Sequence, residues 1–228
     1  EWGNFAMHLT SLARVLYATA LVVVGAIALA RGDLPAIWTD GPAAVADHKA
    51  IALGIAALTA ALGLGLLADR TGRRGGIALA VALGLWLAAF KLPLIVTNPL
   101  TEGAYQTTGV TAVPLAAALV LAAGSEARPK APLFAARWLF GLALLAFGAS
   151  HFVYLDLTTP LVPHWLPQPV FWAYLTGVAY ALAGIAILTG VLARLAAVLV
   201  VAQMTGILVL VWPPVLLAGA PSAQHVVE

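Results

Sequence analysis

Cysteine is absent from the 228 residues of the chain. Without thiols the chain cannot form a disulfide framework, a thiolate metal centre, a thiol–disulfide exchange site or a cysteine nucleophile. Charge is scarce as well, because only 9% of the residues are Asp, Glu, Lys or Arg, whereas a soluble domain carries about a quarter. A soluble globular domain is excluded, because this small number of charged residues cannot give a soluble fold a polar surface.

Hydrophobic residues, in contrast, make up 63% of the chain, and the mean hydropathy is +1.01. Apolar stretches of about 20 residues recur along the whole length, which is the length that a membrane-spanning helix needs. The sequence therefore predicts an all-α, multi-pass membrane protein with small-residue helix packing. Seven transmembrane helices are predicted, at residues 12–30, 51–68, 76–97, 104–123, 132–153, 170–192 and 195–218.

Basic residues predict the orientation in the membrane. Of the eleven Lys and Arg residues, three (Arg31, Lys49, Lys91) fall on one side and the other eight on the opposite side. Because basic loops stay in the cytoplasm, we expect a cytoplasmic N-terminus, with loops 31–50 and 154–169 outside a bacterial cytoplasmic (inner) membrane. The basic residues are scattered over short loops, so the expected partners are the lipid bilayer and other membrane-protein subunits, and no nucleic acid.

An internal repeat is indicated by a constant offset. Residues 123 positions apart match in four pairs: Arg14 with Arg137, Gly25 with Gly148, Asp33 with Asp156, and Gly54 with Gly177. We expect two tandem four-helix units, residues 1–126 and 127–228, the second lacking its last helix. The C-terminal "HVVE" would join smoothly to the N-terminal "EWGNFAM", so we expect that the chain is truncated or that its ends are incompletely assigned. The alternative is that the N-terminus forms a short interfacial segment.

The stretch "HFVYLDLTTPLVPHWLP" at 151–167 carries the first candidate site residues. His151 and Asp156 would form a proton-handling pair next to a quinone head group, with Trp165 anchoring the loop at the membrane interface. The alternative is a rigid, proline-rich lid in which Asp156 caps the loop backbone and water satisfies His151. No catalytic residue is predicted.

Lys91, in "LWLAAFKLPLIV", is the one clear charge inside a predicted span, and intramembrane charges are functional candidates. Two interpretations stand: the ammonium snorkels to water, or it faces a cavity with Glu102 or Asp156 as partner. His48 completes the candidates, because His48 and His151 are both predicted on the outer side, which makes a bis-histidine haem site geometrically possible. No metal site is expected, because the sequence lacks an HExxH motif and a carboxylate cluster inside a span.

The segment from Ala136 to Ala197 resembles the DoxX-like family of small bacterial membrane proteins. The matching features are the Arg before the helix, the Gly-x-x-His-Phe at its end, the "PLVPHWLP" loop, the "WAYLTGVAYALAGIAILTG" helix and the basic turn. The resemblance implies a compact four-helix membrane unit with relatives in membrane redox complexes, and it carries over no catalytic residue.

These observations favour an accessory or structural subunit of a membrane complex, of a redox or bioenergetic kind, rather than a stand-alone enzyme. The alternative is a protein that binds a quinone or another lipophile in an outward-facing pocket. No cofactor is expected in the chain itself; a quinone or a lipid is the candidate ligand of the alternative.

Overall fold

All regular structure in the described part of the chain is helical. The structure is a computed structural model that describes residues 2–39, 41, 45, 48–68, 72–124 and 130–210, with side chains from Ser11 onward except that of Lys130. Contacts divide the chain into two compact units, Glu1–Leu139 and Phe140–Glu228. The division falls within the helix that begins at Lys130, later than the edge at 126/127 that the sequence predicts.

The first unit contains four helical spans. They are α1 (Trp2–Arg31), α2 (Lys49–Leu67), α3 (Gly72–Trp86) continued through a π-turn (Leu87–Lys91) into α4 (Leu92–Thr97), and α5 (Glu102–Ala123). A short 3-10 turn, Ala36–Trp38, interrupts the loop after α1. Because α1 already begins at Trp2, residues 2–10 continue the helix of the first span.

The second unit is built from the following helices. Helix α6 spans Lys130–Val153 and begins in the first unit; the others are α7 (Leu155–Thr158), α8 (Pro169–Thr189) and α9 (Ala193–Leu210), with a 3-10 turn at Thr159–Leu161. Gly190, at a φ of 83°, ends α8 in the left-handed conformation that glycine adopts without a steric penalty.

Seven helices of the described residues are long and apolar enough to cross a membrane, which confirms the predicted number. They are Ser11–Arg31, Lys49–Leu67, Gly72–Thr97, Glu102–Ala123, Ala131–Val153, Pro169–Thr189 and Ala193–Leu210. The predicted end of the last span, residues 211–218, lies outside the described residues. The protein is therefore a multi-pass helical membrane protein.

Small residues bring the paired helices of the first unit unusually close. A Cβ built on Gly25 of α1 would lie 2.7 Å from the Ala60 nitrogen and 2.8 Å from the Ala56 carbonyl oxygen. A Cβ built on Gly63 of α2 would lie 2.8 Å from the Ala18 carbonyl oxygen. Side chains at either position would push the backbones apart, so glycine here is a packing requirement of α1 against α2.

The second unit packs α6 against α8 in the same way. A Cβ built on Gly148 would lie 2.9 Å from the Gly177 carbonyl oxygen, and one built on Gly184 would lie 2.8 Å from the Gly141 carbonyl oxygen. Since helices in lipid gain little from hydrophobic burial, this close van der Waals contact is what holds α6 on α8.

Candidate functional site: an inserted loop and a buried lysine

The loop after α1 enters the bundle of the first unit instead of lying over it. Three consecutive residues of the loop are each held by a different helix. Thr111 of α5 donates to the Ile37 carbonyl at 3.0 Å, the Trp38 indole N–H donates to Thr59 Oγ1 of α2 at 2.9 Å, and the Trp86 indole N–H of α3 donates to the Thr39 carbonyl at 3.3 Å.

These contacts lie deep in the membrane-spanning region. Thr59 follows the start of α2 at Lys49 by ten residues, which places it about 15 Å along the helix at 1.5 Å per residue. A hydrocarbon core is about 30 Å thick, so the tip of the loop reaches roughly its middle. Non-helical backbone is tolerated at this depth only when protein buries it and satisfies its polar groups. The hydrogen bonds to the Ile37 and Thr39 carbonyls do so here.

Aromatic rings surround the inserted tip. The Trp38 and Trp86 rings meet edge to face with centroids 5.5 Å apart, and Trp86 meets Phe90 in the same manner at 4.6 Å. Edge-to-face contacts add about 0.5–1.5 kcal/mol beyond area burial. Trp38 is 5% exposed and Thr59 fully buried, so this cluster is the interior of the unit.

Lys91 reaches the same loop from the π-turn. Its side chain is fully buried, and Nζ lies 3.5 Å from Thr39 Oγ1. The π-turn is explained by Pro93, which lacks an N–H and whose ring clashes with the carbonyl four residues earlier; the Leu92 N–H bonds five residues back, to the Leu87 carbonyl. The interpretation in which Lys91 snorkels to water is therefore wrong, and the ammonium faces the bundle interior.

Of the two carboxylates predicted as partners of Lys91, Glu102 lies in the same unit. It begins α5, and its Oε2 atom is buried. Asp156 lies in the second unit and is exposed.

His151 in the second unit occupies a different environment. Its Nδ1 atom lies 2.8 Å from the Phe147 carbonyl oxygen, and its ring centroid lies 5.5 Å from that of Tyr180. A carbonyl oxygen only accepts hydrogen bonds, so Nδ1 carries the proton and the lone pair of the neutral ring is on Nε2. Gly177 permits this position, because a Cβ there would lie 2.8 Å from the His151 Cβ.

The remaining candidate residues are divided between the two units. Asp156, in α7, makes no hydrogen bond to His151, and Trp165 is 69% exposed. His48, in the first unit, is exposed and precedes α2 without a side-chain cap bond. Within the described ranges, no group of three His, Cys, Asp or Glu side chains is arranged to hold a metal ion.

Sequence reasoning did not predict the partners that hold the inserted loop. The available signals were single threonines inside apolar spans, in "ALTAAL" and "GVTAVP", and a tryptophan between the Pro and Gly of "DLPAIWTDG". Each is common in membrane helices and loops, and only the fold shows that Trp38, Thr59 and Thr111 meet.

The fold and the buried polar groups define a multi-pass helical membrane protein with an inserted loop. Residues 132–213, in the second half of the chain, match the DoxX family. This match confirms the resemblance predicted for that half. No curated protein and no solved structure matches the chain.

Proposed function

We propose that the chain is an accessory or structural subunit of a membrane complex, of a redox or bioenergetic kind, in a bacterial cytoplasmic membrane. The observation that carries this proposal is the use of the buried polar groups in the first unit. Thr59, Thr111 and Trp86 each bond to the inserted loop or its flank. Groups that hold the chain's own backbone serve stability and shape rather than a reacting substrate.

Co-purification tests this proposal. The full chain, tagged and expressed in its own host, is extracted in a mild detergent, and its partners are identified and quantified by mass spectrometry. We expect at least one other membrane protein in a constant ratio to the chain. A matched preparation of an unrelated seven-span protein controls for non-specific capture. Recovery of the chain with lipid alone would contradict the proposal.

We further propose that the two units are copies of one module. The close contacts correspond atom by atom: Gly25 faces the Ala56 carbonyl oxygen and the Ala60 nitrogen, and Gly148 faces the Gly177 carbonyl oxygen and the Ala181 nitrogen. In the reverse direction, Gly63 faces Ala18 and Val22, and Gly184 faces Gly141 and Leu145.

The two helix pairs are related by different offsets. The offset is 123 between α1 and α6, as the sequence predicts, and 121 between α2 and α8, because the intervening loop is two residues shorter in the second half. In this proposed correspondence Ala56, and not Gly54, is equivalent to Gly177. A Cβ on Gly54 would meet nothing within 4 Å, which supports this assignment.

For the orientation we propose a cytoplasmic N-terminus, with the loops that contain Trp38 and Trp165 on the outer side. The support is the eight-to-three bias of Lys and Arg.

A second function is favoured by one observation, the environment of His151. A half-buried imidazole whose Nε2 has an available lone pair, packed on a tyrosine within a membrane bundle, is suited to receive a polar group of a lipophile. In this second proposal the chain binds a quinone or a related lipophile from the membrane. Saturable binding of a lipophile to the purified chain in lipid nanodiscs tests it, and partition into protein-free nanodiscs is the control.

A further inference from the structure

The two proposed copies differ in the residues that occupy one layer of the helices, the depth at which Thr59 lies in the first unit. In the first unit, Thr59 of α2 receives the indole of Trp38 from the loop. With the offset of 121, the residue equivalent to Thr59 is Tyr180 of α8, and it is 4% exposed. With the offset of 123, the residue equivalent to Ala28 of α1 is His151 of α6. The residue that receives the Trp38 indole in one unit therefore corresponds to Tyr180 in the other, and His151 lies beside Tyr180 with ring centroids 5.5 Å apart.

The loop of the second unit does not deliver an indole to this layer. Its tryptophan, Trp165, is 69% exposed, and the turn Thr159–Leu161 packs on α8 instead. The Oγ1 atom of Thr159 is buried there and has no hydrogen-bond partner among the described residues. Such a buried hydroxyl is costly to leave unsatisfied.

His151 lies at the same layer, well inside the membrane. Its Cβ contacts the position of Gly177, which follows the start of α8 at Pro169 by eight residues, about 12 Å along the helix. Because the Phe147 carbonyl fixes the proton on Nδ1, Nε2 of the neutral ring accepts a hydrogen bond. The Tyr180 hydroxyl does not donate this hydrogen bond, since it donates to Met204 Sδ at 3.2 Å.

We infer that the second unit binds the ring of a lipophilic phenol or hydroquinone next to Tyr180, with the ligand hydroxyl donating to His151 Nε2. The inference rests on the second function proposed above and names its ligand class and its anchoring atom. In the first unit the chain itself places a flat aromatic ring, that of Trp38, against the residue equivalent to Tyr180. An alkyl tail on the ligand would remain among the apolar helix surfaces and lipid.

The test compares para-nonylphenol with its methyl ether, para-nonylanisole, by isothermal titration calorimetry on the full chain in nanodiscs. The two compounds differ only in that a methyl group replaces the hydroxyl hydrogen, so the change of their affinity ratio on removing His151 measures the hydrogen bond. We expect the phenol to bind about 10-fold more tightly or better, as one hydrogen bond of about 1.4 kcal/mol gives. In His151→Phe, which keeps a ring, the ratio should fall to about one.

The matched control is His164→Phe, since His164 is an exposed histidine in the loop before α8 of the same unit; it should keep the wild-type ratio. Equal affinities of the two compounds in the wild-type chain would overturn the inference, and this comparison does not depend on whether a variant folds. If both compounds bind saturably with equal affinity, the proposal that the chain binds a lipophile still stands. A phenol preference that persists in His151→Phe would overturn the inference as well. Absence of saturable binding by either compound would overturn both the inference and the lipophile proposal.

Discussion

The indole nitrogen of Trp38 donates to Thr59 Oγ1 at 2.9 Å, although the two residues belong to a loop and to the middle of a transmembrane helix. Thr59 in turn donates to the Ile55 carbonyl of its own helix at 2.7 Å. The hydroxyl therefore both accepts and donates, and neither polar atom remains unsatisfied in the interior. This pair fixes how far the loop penetrates the first unit.

Replacing Lys91 by methionine should loosen the inserted loop. The substitution keeps the apolar stem and removes the ammonium that contacts Thr39, and a hydrogen bond from a charged group contributes about 1.5–3 kcal/mol. Hydrogen–deuterium exchange of the amides at residues 36–39 should accelerate by about 10-fold or more. Lys49→Met, at an exposed lysine at the start of α2, is the control. Unchanged exchange in Lys91→Met would show that the lysine does not hold the loop.

Two glycine substitutions should have opposite effects on stability. Gly25→Ala places a Cβ 2.7 Å from the Ala60 nitrogen, so we expect it to lower the free energy of unfolding by about 1–3 kcal/mol through overpacking. Gly54→Ala meets nothing within 4 Å and should raise it by about 0.5–1 kcal/mol, because alanine loses less backbone entropy in a helix. Thermal unfolding in one detergent compares them; similar effects would contradict the packing of α1 on α2.

The same comparison in the second unit tests the proposed repeat. Gly148→Ala, whose Cβ would lie 2.9 Å from the Gly177 carbonyl oxygen, should destabilise the chain as Gly25→Ala does. Gly206→Ala in α9, where a Cβ meets nothing within 4 Å, is the control. If Gly148→Ala leaves the free energy of unfolding unchanged, the close contact on which the correspondence of the two units depends is contradicted.

The orientation can be tested by labelling, because the chain has no native cysteine. Cysteines introduced at Thr158 and at Arg73 should react with a membrane-impermeant maleimide from opposite sides of the membrane. We expect Thr158→Cys to react in intact cells and Arg73→Cys only after the membrane is opened. Reaction of both in intact cells would contradict the proposed orientation.

The helices could be predicted from the sequence because their signal is composition over a long window. Seven apolar stretches of membrane-spanning length indicate seven helices, since a helix satisfies its backbone hydrogen bonds within one segment in lipid. The side to which Lys91 points could not be predicted in the same way. It depends on the π-turn before Pro93, which rotates the following residues around the helix axis.

The candidate site was harder to predict than the fold. The sequence interpretation paired two titratable residues, His151 and Asp156, but the two do not form a hydrogen bond, and Asp156 is exposed. The inserted loop depends on neutral residues, Trp38 and Thr59, that are far apart in the sequence and carry no motif. Contacts of this kind arise from the tertiary packing of four helices, which a single sequence does not encode in any local pattern.

The most direct test of the inserted loop is a double-mutant cycle on Trp38 and Thr59. Trp38→Phe keeps a ring and removes the N–H, and Thr59→Val removes the acceptor at nearly constant volume. The free energy of unfolding is measured by thermal denaturation in one detergent for the four combinations, with Thr189→Val, an exposed helix threonine, as the control in both backgrounds. We expect Thr59→Val to cost about 1–3 kcal/mol beside tryptophan and about 1 kcal/mol less beside phenylalanine, because phenylalanine has no buried N–H to leave unsatisfied. An equal cost of Thr59→Val in the two backgrounds would contradict the insertion of Trp38 at the centre of the first unit.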